Sequence, residues 1–311
     1  MLGYARAGAE RFTGHPNLRV ISLGGGVQSS VLALMAARGE ICDENDEIAK
    51  VDYAIFADTG WEPKGVYEHL NWLEKEIAAS RFPFEIRKTS VKDIYERRGS
   101  HKTDWKIQQH LAAGKNSTGQ DFVTVPVFVF NQDKKKGLAR RQCTREYKLD
   151  PIRLCLRQLM GVGWCKPFPK NKWVEQWIGI SYDEMIRMKD SRDVWCKNRW
   201  PLVDKKMRRT DCKAWFAENY PGRVLPRSAC IGCPLHTNKE WRDMKENDPQ
   251  SWKEAVAIDK SLRESSRSEK FGSEMYLHPS RKPLNEVDLG AEQSRQKRLA
   301  FLEECEGLCG V

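Results

Sequence analysis

The sequence has 311 residues, of which 40% are hydrophobic and 31% charged, and its formal net charge is +10. This length allows one large domain or two modest ones. No apolar run approaches the roughly 20 residues of a membrane span, and the first residues lack the apolar core of a signal peptide, so we expect a cytoplasmic protein with no membrane contact. The positive charge favours an anionic partner, although a solvated basic surface is an equal alternative.

Strand-like and helix-like segments alternate in the first half of the chain. Strands are predicted at 18–23, 51–60 and 82–90, and helices at 29–39 and 62–80. Ser29 or Ser30 is expected to cap the first helix and Gly39 to end it, and its apolar residues cover more than one face, which indicates burial. This alternation predicts an α/β fold with a doubly wound parallel sheet.

The second half gives fewer regular signals. Pro126 is expected to restrict 122–130 to a strand edge or a loop. A helix is predicted at 151–161 and a strand at 172–181, and the chain after Arg199 reads as irregular. We therefore divide the chain into an α/β core, residues 1–191, and a cysteine-bearing, mainly helical or irregular C-terminal portion, residues 192–311.

Three glycines, Gly24, Gly25 and Gly26, separate the first strand from the first helix. Glycines let backbone amides approach an anion without a Cβ clash, and a helix start adds partial positive charge. The stretch lacks the Gly-Lys-Ser/Thr of the ATPase P-loop and the third glycine of the dinucleotide fingerprint. It predicts a phosphate site of another kind, or a tight turn without a ligand.

The segment Gly24-Gly25-Gly26-Val27-Gln28-Ser29 resembles the pyrophosphate loop Ser-Gly-Gly-x-Asp-Ser of the N-type ATP pyrophosphatases. Gly24 replaces the first serine of that loop and Gln28 replaces its aspartate. Three further stretches, 56–70, 179–190 and 199–221, resemble phosphoadenosine phosphosulfate (PAPS) reductases and follow the order of that family. In 179–190, Ser181 replaces the first arginine of the family's Gly-x-Arg-x-x-Glu-Ser-x-x-Arg loop.

This resemblance implies the adenine nucleotide alpha-hydrolase-like fold and a site for ATP, or for PAPS, with Mg²⁺. The implied nucleotide site consists of Ser22, Gly24, Gly25, Gly26, Val27, Gln28, Ser29, Ser30, Asp58, Thr59, Gly60, Gly179, Ser181 and Glu184. Arg187 would bind phosphate and support catalysis. Asp58 or Thr59 has a simpler alternative as a helix N-cap, and Glu184 with Arg187 as a surface ion pair.

Ten cysteines are scattered over the chain, which argues against a disulfide scaffold. Cys230 and Cys233 form a C-x-x-C turn, and Cys143 lies among cations that favour its thiolate. We expect these three to bind a [4Fe-4S] cluster, with Zn²⁺ as the competitor. His236, three residues after Cys233, is interpreted as an ordinary surface histidine.

The last residues, Glu-Cys-Glu-Gly-Leu-Cys-Gly-Val, resemble the Glu-Cys-Gly tail of PAPS reductases, whose cysteine is the redox nucleophile. Cys309 and Cys305 are therefore candidate catalytic cysteines. The alternatives are a fourth cluster ligand and an exposed thiol.

Two basic stretches, 131–148 and 205–213, suit a nucleic-acid backbone or the anions of a small nucleotide. Four tryptophans could stack on bases or belong to the core: Trp195, Trp200, Trp215 and Trp241.

The sequence thus predicts an ATP pyrophosphatase that adenylates a substrate for sulfur transfer. The expected acceptor is DNA, as in phosphorothioation, or tRNA, as in thiolation, with a sulfur donor such as a cysteine desulfurase. The first alternative is a reductase that forms sulfite from PAPS or adenosine phosphosulfate. The second is a zinc-stabilised nucleic-acid-binding module.

Overall fold

A five-stranded parallel sheet forms the centre of the molecule. The computed structural model describes residues 12–121, 123–130, 136–264 and 274–290. The strands of the sheet are β1 (Leu18–Leu23), β2 (Tyr53–Ala57), β3 (Glu85–Thr89), β6 (Val174–Ile178) and β7 (Cys196–Arg199). Their order is β3-β2-β1-β6-β7, and every neighbouring pair is parallel. The predicted α/β class with a parallel sheet is confirmed.

Helices cover both faces of this sheet because successive side chains of its strands point to opposite sides. The helices of the described residues are α1 (Val27–Arg38), α2 (Lys64–Ala78), α3 (Val91–Arg97), α4 (Ile107–Ala112), α5 (Asp150–Leu159), α6 (Pro201–Asp204), α7 (Arg209–Asn219), α8 (Asn238–Asn247) and α9 (Pro249–Glu264). Of these, α4, α8 and α9 do not cover the sheet but belong to a separate hydrophobic core. In β1, Ile21 and Leu23 join a core with α1, α2 and α7, whereas Leu18 and Val20 join a core with α5. This arrangement is compatible with a doubly wound fold.

The first helix is buried, as its apolar composition predicts: every residue of α1 except Arg38 is buried. Gly39 ends it in the left-handed region at φ 78°, which suits glycine. The predicted serine cap is wrong, because Gly26 is the N-cap and Ser29 and Ser30 lie inside the first turn. No helix among the described residues is long and apolar enough to cross a bilayer.

A small antiparallel sheet lies apart from the parallel one and has the order β5-β4-β8. Its strands are β4 (Phe128–Phe130), β5 (Lys136–Leu138) and β8 (Met275–Tyr276). The expectation of a strand edge or loop around Pro126 is confirmed for residues 123–127, which form no strand, whereas β4 starts two residues beyond the proline and pairs on both sides. Pro126 therefore precedes the ladder and removes no hydrogen bond from it.

The chain after Arg199 is more regular than its prolines suggest. Four helices, α6 to α9, follow, and Pro201 occupies a first-turn position of α6, where a missing amide costs nothing. Both β7 and α7 belong to the parallel-sheet layer although they follow residue 191. The division at residue 191 stays a prediction.

Candidate functional site

The carboxyl ends of β1, β2 and β6 point towards one edge of the parallel sheet. The strand order reverses between β1 and β6, because the connections run outward from these two neighbours in opposite directions. Open α/β sheets bind their ligands in the crevice outside such a switch point. The glycine turn follows β1, Asp58-Thr59-Gly60 follows β2, and Gly179 follows β6. The topology therefore brings the three predicted loops to one edge.

Two glycines are required by the geometry of this edge. Gly25 has φ +77°, which L side chains rarely adopt. A Cβ on Gly179 would lie 2.8 Å from the amide nitrogen of Ser29 and 2.9 Å from its Cα. The end of β6 thus touches the backbone at the start of α1, and only glycine permits this approach.

The glycine turn is held by serines and is buried. The Gly24 amide donates to Ser29 Oγ at 3.2 Å, and the Ser228 hydroxyl donates to the Gly24 carbonyl. Ser30 Oγ lies 2.9 Å from Nε2 of His69, which comes from α2. All residues from 24 to 30 are buried. The turn is therefore covered by neighbouring residues in this structure, and we expect some of them to move when a phosphate binds.

Gln28 lies at the centre of a polar network beside the turn. Its Nε2 donates to Glu184 Oε2 at 3.0 Å and to Ser181 Oγ at 3.4 Å. Its Oε1 accepts from the Arg209 guanidinium at 2.9 Å. Glu184 also pairs with Arg187 at 3.0 Å. A carboxylate at position 28 would face that of Glu184, so the amide suits a place between an anion and a cation.

The predicted Glu184–Arg187 pair forms, but not at the surface: the Arg187 side chain is 5% exposed. These two residues and Ser181 lie in a 3₁₀ turn, Tyr182–Arg187, or directly before it. Neither Asp58 nor Thr59 caps the next helix, because Pro63 is the N-cap of α2.

Asp58 and Thr59 face different partners. Asp58 Oδ1 accepts from the Gly60 amide at 2.7 Å and from the Tyr67 hydroxyl at 2.8 Å, so it stabilises its own turn. Thr59 is 1% exposed, and its Oγ1 lies 3.4 Å from Cys230 Sγ. Thr59 therefore connects the crevice edge to the C-x-x-C turn.

Cys143, Cys230 and Cys233 line a single cavity of about 20 Å³, to which Thr59 and Trp61 also contribute. We call it the thiol cavity; its other lining residues are Ile107, Val125, Pro126, Arg141, Thr144, Tyr147, Lys148, Gly232, Pro234 and Leu235. A volume of this size holds about one water molecule or one ion. The C-x-x-C turn and the distant Cys143 thus meet at the end of β2.

Two features form the walls of the thiol cavity. Trp61 packs on Gly232, where a Cβ would overlap the indole ring, and the Trp61 carbonyl accepts from the Ile231 amide at 2.9 Å. On the other side, a π-helical turn, Arg145–Leu149, presents Tyr147, whose hydroxyl lies 2.5 Å from His110 Nδ1. Such turns are rare and occur frequently at functional sites.

The donor set of the thiol cavity suits a thiophilic metal, since sulfur ligands bind zinc and iron–sulfur clusters. Within the described residues, no group of three His, Cys, Asp or Glu side chains is assembled to hold an ion. The surface interpretation of His236 is wrong: this side chain is buried, and its Nε2 donates to the Cys230 carbonyl at 3.0 Å. His236 therefore supports the C-x-x-C turn.

Some predicted residues lie outside the described ranges, namely Cys305, Cys309, Lys134 and Lys135. Of the tryptophans considered for base stacking, Trp195 and Trp241 are core residues, 4% and 0% exposed. Base stacking by these two is therefore excluded in this structure.

The polar geometry at the switch point and the thiol cavity beside it define a candidate site on an α/β protein with a parallel sheet. No protein-family model and no curated protein matches this chain.

The structure adds three residues that the sequence did not indicate. Arg209 belongs to a predicted basic stretch, but its contact with Gln28 spans 181 positions and has no local signal. Ser228, which reaches Gly24, precedes the C-x-x-C turn by two residues. Glu62, which lies 3.6 Å from Cys230 Sγ, follows the Asp-Thr-Gly turn.

Acid is expected to destabilise the protein through its buried histidines. Burial lowers the pKa of His69, His236 and His278 to about 4, against 6.5 in an exposed chain. Between these values the unfolded state binds more protons, so the stability present above pH 6.5 is lost as the pH falls towards 4. Each histidine contributes a slope of about 1.4 kcal/mol per pH unit.

Urea unfolding at pH 7.5, 6 and 5 measures this slope. His69→Gln and His278→Gln should each flatten it, whereas His101→Gln, at an exposed position, should not. A free energy of unfolding that stays constant from pH 7.5 to 5 in the wild-type protein would contradict this prediction.

Proposed function

We propose that this chain is an ATP pyrophosphatase of the PAPS reductase-like family, with the adenine nucleotide alpha-hydrolase-like fold. The observation that carries the proposal is the close contact of Gly179 with the start of α1 at the switch point of the sheet. This contact brings together the loop that follows β1 and the loop that follows β6. Both loops resemble the same family.

The residues at this edge suit the chemistry of adenylation. An acceptor oxygen attacks the α-phosphorus of ATP, and pyrophosphate leaves. The first amides of α1 have no carbonyl partner within the helix and can donate to the pyrophosphate oxygens. Arg187 and Arg209, which lie around Gln28, provide positive charge, and donors fixed in advance stabilise the charge of the leaving group.

Burial of the turn adds a condition to this proposal. Because residues 24–30 are covered and Ser228 bonds to Gly24, the segment before the C-x-x-C turn has to shift when a nucleotide binds. That segment continues to Cys230 and Cys233, so the same movement would reach the thiol cavity. Nucleotide binding and the state of the cysteines are therefore expected to influence each other.

Cys143, Cys230 and Cys233 would hold the metal centre of this enzyme, with an iron–sulfur cluster favoured by the resemblance and zinc as the alternative. When bound, a cluster with an open iron supplies a site for sulfide. The residues around it fix its distance from the nucleotide: Thr59 contacts Cys230 directly and follows β2 at the crevice edge. Sulfur transfer beside an adenylated substrate explains why the two sites are adjacent.

An exposed surface with apolar and cationic side chains beside the 3₁₀ turn, which also carries Asp183, supports nucleic acid as the acceptor. We call it the mouth surface and define it by Tyr182, Met185, Ile186, Lys206 and Arg208, which are all exposed. The Tyr182 amide donates to the Met207 carbonyl at 2.7 Å, so the 3₁₀ turn and the basic stretch lie side by side. Aromatic and cationic side chains together are typical of sites for single strands.

Neutralising two cations of the mouth surface should weaken nucleic-acid binding in a salt-dependent way. With Lys206→Gln and Arg208→Gln combined, the slope of log K against log salt should fall by about one per lost phosphate contact. Tyr182→Ala should cost about 1–3 kcal/mol on a single strand, and Tyr182→Phe should retain that energy. Fluorescence anisotropy with labelled single-stranded DNA and RNA measures both effects.

The control for charge is Lys253→Gln with Lys260→Gln, two exposed lysines on α9. An equal loss of slope in this control would show that binding is distributed over the surface. Unchanged binding in all mouth-surface variants would exclude this acceptor site.

The function itself is tested with ATP labelled on the α- or γ-phosphate, with and without nucleic acid. Release of labelled pyrophosphate and AMP supports the proposal. Sulfite formed from PAPS with a thiol reductant would instead support the reductase, whose candidate cysteines are Cys305 and Cys309. Binding of nucleic acid without turnover of either nucleotide would support the binding module.

A further inference from the structure

A buried carboxylate lies against the thiol of Cys230 and has no part in the nucleotide chemistry. Glu62 is 3% exposed. Its Oε1 accepts from the Thr59 hydroxyl at 3.0 Å and lies 3.6 Å from Cys230 Sγ. Its Oε2 is buried and has no hydrogen-bond partner within the described part of the chain. Buried carboxylate oxygens are normally paired, because desolvation without a partner is costly, so this position suits a ligand.

The Cys230 thiol donates a hydrogen bond to Glu62 Oε1 at 3.6 Å, and this spacing of oxygen and sulfur also suits two ligands on one metal ion. Zinc bonds to thiolate sulfur at about 2.3 Å and to carboxylate oxygen at about 2.0–2.2 Å, and a tetrahedral angle then separates the two by about 3.6 Å. Glu62 Oε1 and Cys230 Sγ lie 3.6 Å apart. Thr59 would orient the carboxylate, as hydrogen bonds to metal-binding carboxylates commonly do.

Glu62 is not among the residues that line the thiol cavity and meets it only through its contact with Cys230, whereas the three cysteines line it. Cys143 and Cys233 line it together with Cys230, and its volume of about 20 Å³ admits an ion. Because no three such donors are assembled in the described residues, Cys143 and Cys233 have to move inward when the ion binds. Three cysteines leave one of the four usual positions to be filled.

We propose that Glu62 is the oxygen ligand that completes a thiophilic metal centre with Cys143, Cys230 and Cys233. The metal is a single zinc ion, which the cavity of about 20 Å³ admits as it stands, or one iron of a cluster, for which the cavity has to widen. This inference rests on the cysteine site of the proposed function and adds its fourth ligand. A tail cysteine, Cys305 or Cys309, would otherwise fill that position.

The test measures metal binding and does not depend on turnover. Zn²⁺ is titrated into the full-length, metal-free protein against a chromophoric chelator, and the zinc-loaded protein is examined by X-ray absorption. A second preparation is reconstituted without oxygen from ferrous iron and sulfide, and its iron and sulfide contents are determined. The variants are Glu62→Gln, Cys233→Ser and the control Glu254→Gln, whose carboxylate contacts Trp61 Nε1 at 3.3 Å.

Wild-type protein is expected to show three sulfur neighbours and one oxygen neighbour around the metal. Glu62→Gln should lower the affinity at least about tenfold, and Glu254→Gln should not. Four sulfur neighbours in the wild type, or equal metal affinity in Glu62→Gln, would overturn the role of Glu62. The proposal that the cysteines bind a metal would remain supported. Protein that takes up neither zinc nor iron, or a Cys233→Ser variant with unchanged uptake, would overturn both.

Thermal unfolding of the metal-free variants separates a ligand effect from a folding effect. Since Gln has the shape of Glu, metal-free Glu62→Gln should unfold close to the wild-type temperature. Added Zn²⁺ should then raise the unfolding temperature of the wild type more than that of the variant. An equal rise in both would also contradict the role of Glu62.

Discussion

Replacing Arg187 with methionine is expected to slow pyrophosphate release from ATP by about 10²–10³-fold, the usual cost of losing one fixed donor to a charge that develops in the transition state. Arg187 is buried beside the switch point and is held by Glu184 at 3.0 Å, so its position is set before the nucleotide arrives. The loss should appear mainly in kcat, because charge accumulates as the pyrophosphate leaves. Labelled ATP measures the rate.

Two controls make the Arg187 experiment specific. Arg192→Met removes an exposed arginine of the same segment and should leave the rate unchanged. Arg187→Lys keeps the charge but loses the planar fork, and should recover only part of the rate. The proposal of Arg187 as a phosphate ligand would be wrong if the methionine variant, shown to be folded by its thermal unfolding, released pyrophosphate at the wild-type rate.

Four of the five strands of the parallel sheet could be predicted from the sequence, because its central strands are short apolar segments that each end in a polar turn. The edge strand β7 was not predicted. β1 and β2 fall within their predicted ranges, and glycine at position 39 ends α1 as expected. The signal is local in each case: hydrophobic pattern, turn residues and the left-handed conformation of a glycine. The short helices α3 and α4 carry no such periodicity, and their segments were not predicted as helices.

The parts of the site that could not be predicted depend on contacts between distant segments. Arg209 reaches Gln28 across 181 positions, and Ser228 reaches Gly24 across 204. The glycine turn is buried because several elements pack around it, and the sequence of the turn alone does not indicate this burial. Gln28 illustrates the same point, since its role as an amide between Glu184 and Arg209 is visible only once the three side chains are placed.

The same chemical change at two glycines should have opposite effects on stability. At Gly232, a Cβ would lie 3.0 Å from Trp61 Cζ2 and closer still to two other ring carbons. Trp61 is 2% exposed and cannot move freely, so Gly232→Ala should destabilise the protein by about 1–3 kcal/mol, the range for overpacking. At Gly65, inside α2, nothing lies within 4 Å, and Gly65→Ala should stabilise by up to about 1 kcal/mol.

Urea unfolding of both variants measures these free energies, and Gly65→Ala serves as the matched control. The Gly232 change should also disturb the metal site, because Trp61, Cys230 and Cys233 line one cavity. An indole ring displaced by the new Cβ would change the shape of that cavity. Metal uptake by Gly232→Ala should therefore fall together with stability, whereas Gly65→Ala should retain full uptake. A Gly232→Ala variant with unchanged stability and metal uptake would mean that the indole ring does not fix the wall of the cavity. It would also contradict a rigid contact between the C-x-x-C turn and the residues that follow β2.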